Sequence, residues 1–372
     1  MYIRTVSLTN FRNCEHLDFE PDEGLNVLVG ANAQGKSAIL EAIYILATSK
    51  SHRTSRDVDL IRIGESLART CVHVIRTQRN DVTLEIILSR REKKTVRINK
   101  IKQPKVGDIL GQLNAVIFSN SDIDMVRGEP LLRRRFLNLE ISQISPRYIY
   151  SLARYKRVLD QRNNLLKEIK HRLARPSYLD MWDRQLAEYG ADIILARAKF
   201  VGLLAPAAAG IYSTITQGYE EFTITYKPNV EASISDSEQD IESRFGVLLA
   251  ARRETDLLRA TTTTGPHRDD LSLTIAGMTA REFASQGQQR SAAIAMKLAE
   301  IDLIEQSAEE SPVVMLDDIM AELDDARRAR ILDITLGRCQ TFITTTSMED
   351  MGSTAASSGA VFQVRSGTVA RA

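Results

Sequence analysis

The sequence predicts an α/β fold in which both ends of the chain build one lobe and a mainly helical lobe is inserted between them. Three observations carry this. An apolar run at 25–29 leads through a glycine-bounded loop into an apolar segment of helical length at 36–48. A second apolar run, ending in two aspartates, lies at 313–318 near the far end. Between them, residues 147–175 contain neither Gly nor Pro, as a long helix requires.

Residues 2–8 and 15–20 alternate apolar and polar side chains as hairpin arms do. LNVLV at 25–29 stops at Gly30, as a buried strand does. KSAILEAIYILAT at 36–48 is apolar on nearly every face, which predicts a helix buried in a sheet. Strands are expected at 70–76, 82–89 and 95–98, the last on a basic hairpin. Ser145-Pro146 offers a cap and a first-turn proline, and Pro176 a stop. A helix of roughly 30 residues between them spans about 45 Å. A second helical stretch at 178–205 is expected to pair with it as an antiparallel hairpin. Residues 229–240 read as a polar loop, and helix resumes at 239–259. TTTTGP at 261–266 is a break. A strand at 271–275, a helix at 287–307 and strands at 312–316 and 341–345 follow. The expected division is 1–127 with 262–372 as the α/β lobe, and 128–261 as the helical lobe.

The chain has 372 residues, 43% hydrophobic and 26% charged, which excludes a wholly disordered protein. Its net charge of +1 hides two basic blocks. Residues 133–175 carry nine Arg and three Lys against three acids, a net of +9, and residues 90–105 carry +7. Such blocks matter more for polyanion binding than the total does. Cys14, Cys71 and Cys339 are far apart, and the five histidines are unclustered, so neither a disulfide framework nor a zinc site is expected. The first residues have no apolar signal region. The longest apolar stretches are broken by Glu41 or by Arg197 and Lys199, so no membrane span is expected.

Gly30-Ala31-Asn32-Ala33-Gln34-Gly35-Lys36-Ser37 fits the phosphate loop G-x-x-x-x-G-K-[ST]. Its glycines let backbone N–H groups face phosphate. Lys36 brings positive charge to the β and γ phosphates of ATP, Ser37 brings a hydroxyl for Mg2+, and the next helix presents its N-terminal donors. The apolar run at 313–316 delivers Asp317 to the metal and Asp318 to the attacking water. Lys36, Asp317 and Asp318 are therefore the candidate catalytic residues. Ser285, Gly287 and Gln288, in SQGQQR at a helix start, suit a second phosphate contact.

In this order the motifs match an ABC-type ATPase head, a P-loop NTPase lobe with an antiparallel β subdomain. More specifically, the chain resembles the RecF family of bacterial recombination and repair ATPases, part of the ATP-binding-cassette and SMC-like group. The resemblance rests on NFRN (10–13), SHRT (51–54), RRRFL (133–137), LDQRNNLLK (159–167), TGPHRDDL (264–271), SQGQQRS (285–291) and LDDIMAELD (316–324). It implies a cytoplasmic protein that closes as an ATP-sandwiched homodimer, with Ser285 of one copy on the γ-phosphate held by the other. It implies binding to DNA at gaps and single-strand/double-strand junctions. It also implies cooperation with RecO and RecR in loading RecA, and support of the SOS response. Ala33, Ser37, Asn120-Ser121, Asn138 and Ala321 depart from the family's usual Gly, Thr, Pro-Glu, Asp and Ser. Thr344–Thr346 stand where transporters place a switch histidine, leaving a Thr hydroxyl to read the γ-phosphate.

Arg133, Arg134, Arg154, Arg157 and Arg162 are the candidate DNA contacts within the first basic block. Without interleaved aromatics, backbone binding with steep salt dependence is expected. His267 and Arg268 are expected to anchor the lobe junction or to lie near nucleotide or DNA. Three alternatives stay open from the residues alone. They are the ATPase subunit of a membrane transporter, a phosphotransferase, and an architectural DNA-binding protein with a degenerate nucleotide site.

Overall fold

The computed structural model describes residues 1–348 and 359–372. They form two compact units, Met1–Asp122 with Ala293–Ala372, and Ile123–Ala292.

The first unit holds two six-stranded sheets. One is antiparallel, in the order β2-β1-β4-β5-β6-β7, from β1 (Tyr2–Phe11), β2 (Cys14–Phe19), β4 (Leu67–Ile75), β5 (Val82–Ser89), β6 (Thr95–Ile98) and β7 (Ile101–Lys102). Alternation sets its register: Val6 faces Phe19 and Leu8 faces Leu17, and all four side chains are buried. The other sheet runs β15-β14-β3-β13-β12-β8. Its strands are β3 (Leu25–Val29), β8 (Ala115–Ser119), β12 (Val313–Asp317), β13 (Thr341–Thr345), β14 (Gly359–Arg365) and β15 (Thr368–Arg371). All neighbours are parallel except β14 and β15. Helix α1 (Lys36–Thr48) packs against strands of both sheets, with every residue from Ala38 to Thr48 buried. This all-round burial explains its apolar sequence. Because β3, β8, β12 and β13 run parallel and in register, their carboxyl ends meet at one edge, the usual ligand position of an open α/β sheet.

The second unit contains α2 (Ile123–Arg127), α3 (Pro130–Ile144), α4 (Pro146–Lys170), α5 (Leu179–Ile215), α6 (Glu238–Arg259) and α7 (Ala280–Phe283). It also contains a small antiparallel sheet of β9 (Phe222–Lys227), β10 (Asp270–Ile275) and β11 (Met278–Thr279). Helix α8 (Gln286–Ala308) begins in this unit and ends in the first, where α9 (Asp325–Thr335) also lies.

Several elements differ from the sequence expectation. Residues 262–292 group with the helical unit because β10 pairs with β9 along its whole length. Helix α4 begins as expected, with the Ser145 hydroxyl accepting from the Tyr148 N–H at 3.2 Å. It ends at Lys170, before Pro176, because Arg172 takes a left-handed φ of 62° and the Leu173 N–H turns back to the Glu168 carbonyl. Helix α5 runs on through Pro206 to Ile215. It includes an 18-residue window of mean hydropathy 1.5, so among the described residues one helix reaches membrane-spanning length and apolarity, although half of that window is buried in the protein.

Candidate nucleotide site

The loop from Gly30 to Ser37 joins β3 to α1 at the carboxyl edge of the parallel sheet. Gly30 passes so close to the Val364 carbonyl that any Cβ would collide with it. Gly35 has φ 113°, a conformation that side chains resist. Ala33 also takes a left-handed φ of 64°, and an L-residue there costs about 1–2 kcal/mol, which explains why Gly suits this position. Lys36 is buried and donates to the Gly30 and Ala31 carbonyls at 2.7 and 3.2 Å, so its ammonium stays inside the loop's curl.

Asp317, at the end of β12, faces this loop. The Thr344 hydroxyl donates to its Oδ1 at 3.1 Å and accepts the Asp318 N–H at 2.8 Å. Burial pushes the Asp317 carboxyl up, but His52, Ser37 and Thr344 outweigh it and leave the group below the usual carboxylate range. The Thr344 hydroxyl is thus engaged by Asp317 and the Asp318 backbone. Asp318 has φ 51° and lines the cavity over the loop.

That cavity is about 1040 Å³ and is lined by Asn32, Ala33, Gly35, Lys36, Ser37 and Asp318, together with residues to which the sequence assigned no role. Among these are Arg12, Asn13, Arg53, Asp59 and Arg62. Arg12 grips the fully buried Glu41 through two hydrogen bonds of 2.8 and 2.7 Å and donates to the Asp59 carbonyl at 2.9 Å. Ser51 also donates to Glu41. One carboxylate on α1 therefore organises NFRN and SHRT around the loop. Those stretches were visible as family resemblance, but nothing local in the sequence reveals what they touch. Arg12, Lys36, Arg53 and Arg62 line the cavity with Asp59 and Asp318. Arg12 is paired with Glu41 and Arg62 with Glu15, and the lining still brings cationic groups to where a polyphosphate would lie.

Besides Ser37, which bonds Asp317, Asn120 and Asn138 are departures with side-chain partners. Asn120 donates to Glu322, joining the loop after β8 to the turn after β12. Asn138 accepts from Tyr148 at 2.7 Å and Arg197 at 2.9 Å.

In the second unit, Ser285 and Gln288 cap the start of α8 reciprocally. The Ser285 N–H donates to Gln288 Oε1 at 2.6 Å, and the Gln288 N–H to Ser285 Oγ at 3.3 Å. Ser285 and Gly287 are exposed. The candidate DNA residues separate. Arg154 and Arg157 are exposed on α4, while Arg134 is half-buried and donates to the Asp269 carbonyl at 2.7 Å. Arg133 and Arg162 are not surface residues, contrary to expectation. Arg133 makes two hydrogen bonds with Asp270, and Arg162 is fully buried between Asp183, Asp256 and Thr262. A guanidinium so enclosed has no face left for phosphate. His267 and Arg268 bond within this unit, to Tyr155 and Thr262 and to Thr262.

A phosphate loop, an acid-terminated strand and a Thr-bearing strand at one sheet edge, beside an antiparallel β subdomain, define a P-loop ATPase head of the ATP-binding-cassette type. The family model for the RecF/RecN/SMC N terminal domain matches residues 2–370, and the chain belongs to that family. It is 40% identical over 370 residues to the DNA replication and repair protein RecF of Bacillus mycoides strain KBAB4, covering 99% of this chain and 98% of that protein. It also superposes on the solved structure of the recombination mediator protein RecF-ATP in the RecFOR pathway. There the TM-score is 0.93 and the identity 34%, over 100% of this chain and 97% of that one. An SMC head bound to the C-winged helix domain of ScpA shares the fold alone, at TM-score 0.57 and 17% identity, over 100% of this chain and 97% of that chain.

Proposed function

We propose that this chain is an ATP-dependent DNA-binding protein of recombinational repair, a weak ATPase that DNA stimulates and that hydrolyses ATP slowly. The observation that carries the reading is the convergence of Lys36 and Ser37, at the start of α1, with Asp317 and Thr344, at the ends of β12 and β13, beside a cavity of about 1040 Å³ that Lys36, Ser37 and Asp318 line. That volume suits a nucleotide.

In this reading residues 30–37 cradle the phosphates and Lys36 balances their charge. Ser37 and Asp317 hold Mg2+. Among the described residues no cluster of three His, Cys, Asp or Glu could hold a metal alone. One hydroxyl and one carboxylate nonetheless fit Mg2+, which keeps waters and takes phosphate oxygens. Bound there, the ion would supply positive charge to balance that developing on the phosphates. Asp318 orients the attacking water. Ser285, Gly287 and Gln288 of a second copy complete the site, so closure limits turnover. Hydrolysis releases the protein from DNA.

Arg134, Arg154 and Arg157 are the candidate phosphate-backbone contacts that stay at least partly accessible. The cellular role proposed is cytoplasmic: binding at gaps and single-strand/double-strand junctions, and RecO- and RecR-assisted loading of RecA, with replication recovery and SOS induction following. RecF named in the relatives supports this reading. The test is fluorescence anisotropy with a gapped duplex, with and without ATP, for the parent and Lys36→Ala. Binding that needs ATP and is lost in the variant is expected. Binding indifferent to both would refute the clamp.

A further inference from the structure

His52 stands out beside this site. It lies on the loop after α1, its side chain is 9% exposed, and neither ring nitrogen has a hydrogen-bond partner among the described residues. A buried imidazole without partners is costly, about 1–3 kcal/mol per polar group, so packing alone does not account for it. The ring is held in place. Tyr44 packs edge-on against it, with centroids 5.3 Å apart. On one side Ser51 is anchored to Glu41. On the other, the Arg53 and Thr54 N–H groups donate to Ser51 Oγ at 2.9 and 3.0 Å. So fixed, Nε2 lies 3.8 Å from Asp317 Oδ2. That is under about 1 Å beyond hydrogen-bond length, and such contacts commonly tighten once a ligand is in place. Asp317 Oδ1 is already engaged by Thr344, so His52 approaches the other oxygen.

We infer that His52 is a positioning residue for the metal of the bound nucleotide: its Nε2–H holds Asp317 Oδ2 and so orients the carboxylate, together with Ser37, toward Mg2+. β13 ends in Thr344 and Thr345, with Thr346 next in the chain, and the imidazole reaches the site from the loop after α1 instead. The inference rests on the nucleotide reading above. It makes His52 matter for the metal rather than for the nucleotide's own grip on Lys36.

The test uses the full chain and the fluorescent nucleotide mant-ATP, first in EDTA and then titrated with MgCl2. His52→Phe keeps the ring packing and removes the donor. Its metal-free mant-ATP affinity is expected to stay within about twofold of the parent, while the Mg2+ concentration for half-maximal response rises about 10–100-fold, the usual cost of losing a partner behind a metal ligand. His52→Gln, whose amide N–H can replace Nε2–H, should recover to within about threefold. If His52→Phe does not fold, His52→Ala is titrated with and without added imidazole, and imidazole is expected to restore the parent's Mg2+ response. An unchanged Mg2+ midpoint in folded His52→Phe overturns the inference and leaves the nucleotide site standing. Equal defects in the Phe and Gln variants also overturn it, since they mark a packing role. Parent protein without Lys36-dependent mant-ATP binding overturns both readings.

Discussion

Replacing Arg162 with Leu separates a structural arginine from a ligand-binding one. The guanidinium donates to Asp183 at 2.6 Å, Asp256 at 2.7 Å and Thr262 at 2.8 Å, and it is fully buried, as is Asp256. Breaking a buried pair by removing one partner costs about 3–5 kcal/mol. Here the lower half of that range applies. Asp183 keeps Arg253 at 2.6 Å, and Asp256 Oδ1 keeps the N–H and hydroxyl of Thr263. One carboxylate rather than two is left without a cation, so about 3–4 kcal/mol is expected. For a unit of this size that lowers the unfolding midpoint by about 6–16 °C. Near-UV circular dichroism on heating and urea titration read it directly. Arg157→Ala, on the exposed face of α4, should change stability by no more than about 0.5 kcal/mol. An Arg162→Leu variant within about 1 kcal/mol of the parent, with weakened and less salt-sensitive DNA binding, would refute the placement of Arg162 in the core.

Other substitutions test other parts of the molecule. Arg154→Ala and Arg157→Ala should each reduce the slope of log affinity against log salt by about 1 on a gapped duplex. Ser285→Arg should retain mant-ATP binding but lose ATP-dependent dimerisation, read by light scattering. Gly265 has φ 128°, and an added Cβ would strike the Tyr155 hydroxyl and Phe245, so Gly265→Ala should cost about 2–3 kcal/mol in urea unfolding. Burial pushes His267 down to about 4, outweighing its bond to the Thr262 carbonyl, and Arg268 and Arg134 lower it further. The unfolded chain, titrating near about 6.5, then binds the extra proton between those values. This contribution is complete above about pH 6.5 and is lost as pH falls toward 4, by no more than about 3 kcal/mol. His267→Gln should flatten the stability profile across that window.

What the sequence discloses is local. The phosphate loop is legible because eight consecutive residues carry the whole requirement, and α1 because its burial is written into 11 consecutive positions, Ala38–Thr48. Arg162 is misread because its neighbours on α4, Arg154 and Arg157, are exposed and identical in type. Only partners 21, 94 and 100 residues away distinguish it. His52 is one of five scattered histidines, and nothing near it in sequence announces Asp317. The end of α4 escapes notice because its left-handed residue is Arg172 rather than Gly. β9, and with it the assignment of 262–292, depends on pairing with β10 across a whole helix, α6.

The placement of β3 has a consequence for how the protein is made. Both of its neighbours in the sheet, β13 and β14, come from the last part of the chain. At ribosomal speeds of about 5–20 residues per second, roughly 15–60 s pass between the emergence of β3 and that of β13. During that interval both flanks of the apolar strand lack the partners that will cover them. The helical unit, contiguous from Ile123 to Ala292, is complete well before them. The helical unit is therefore complete in sequence while the strand that leads into the phosphate loop still waits for the two neighbours that flank it.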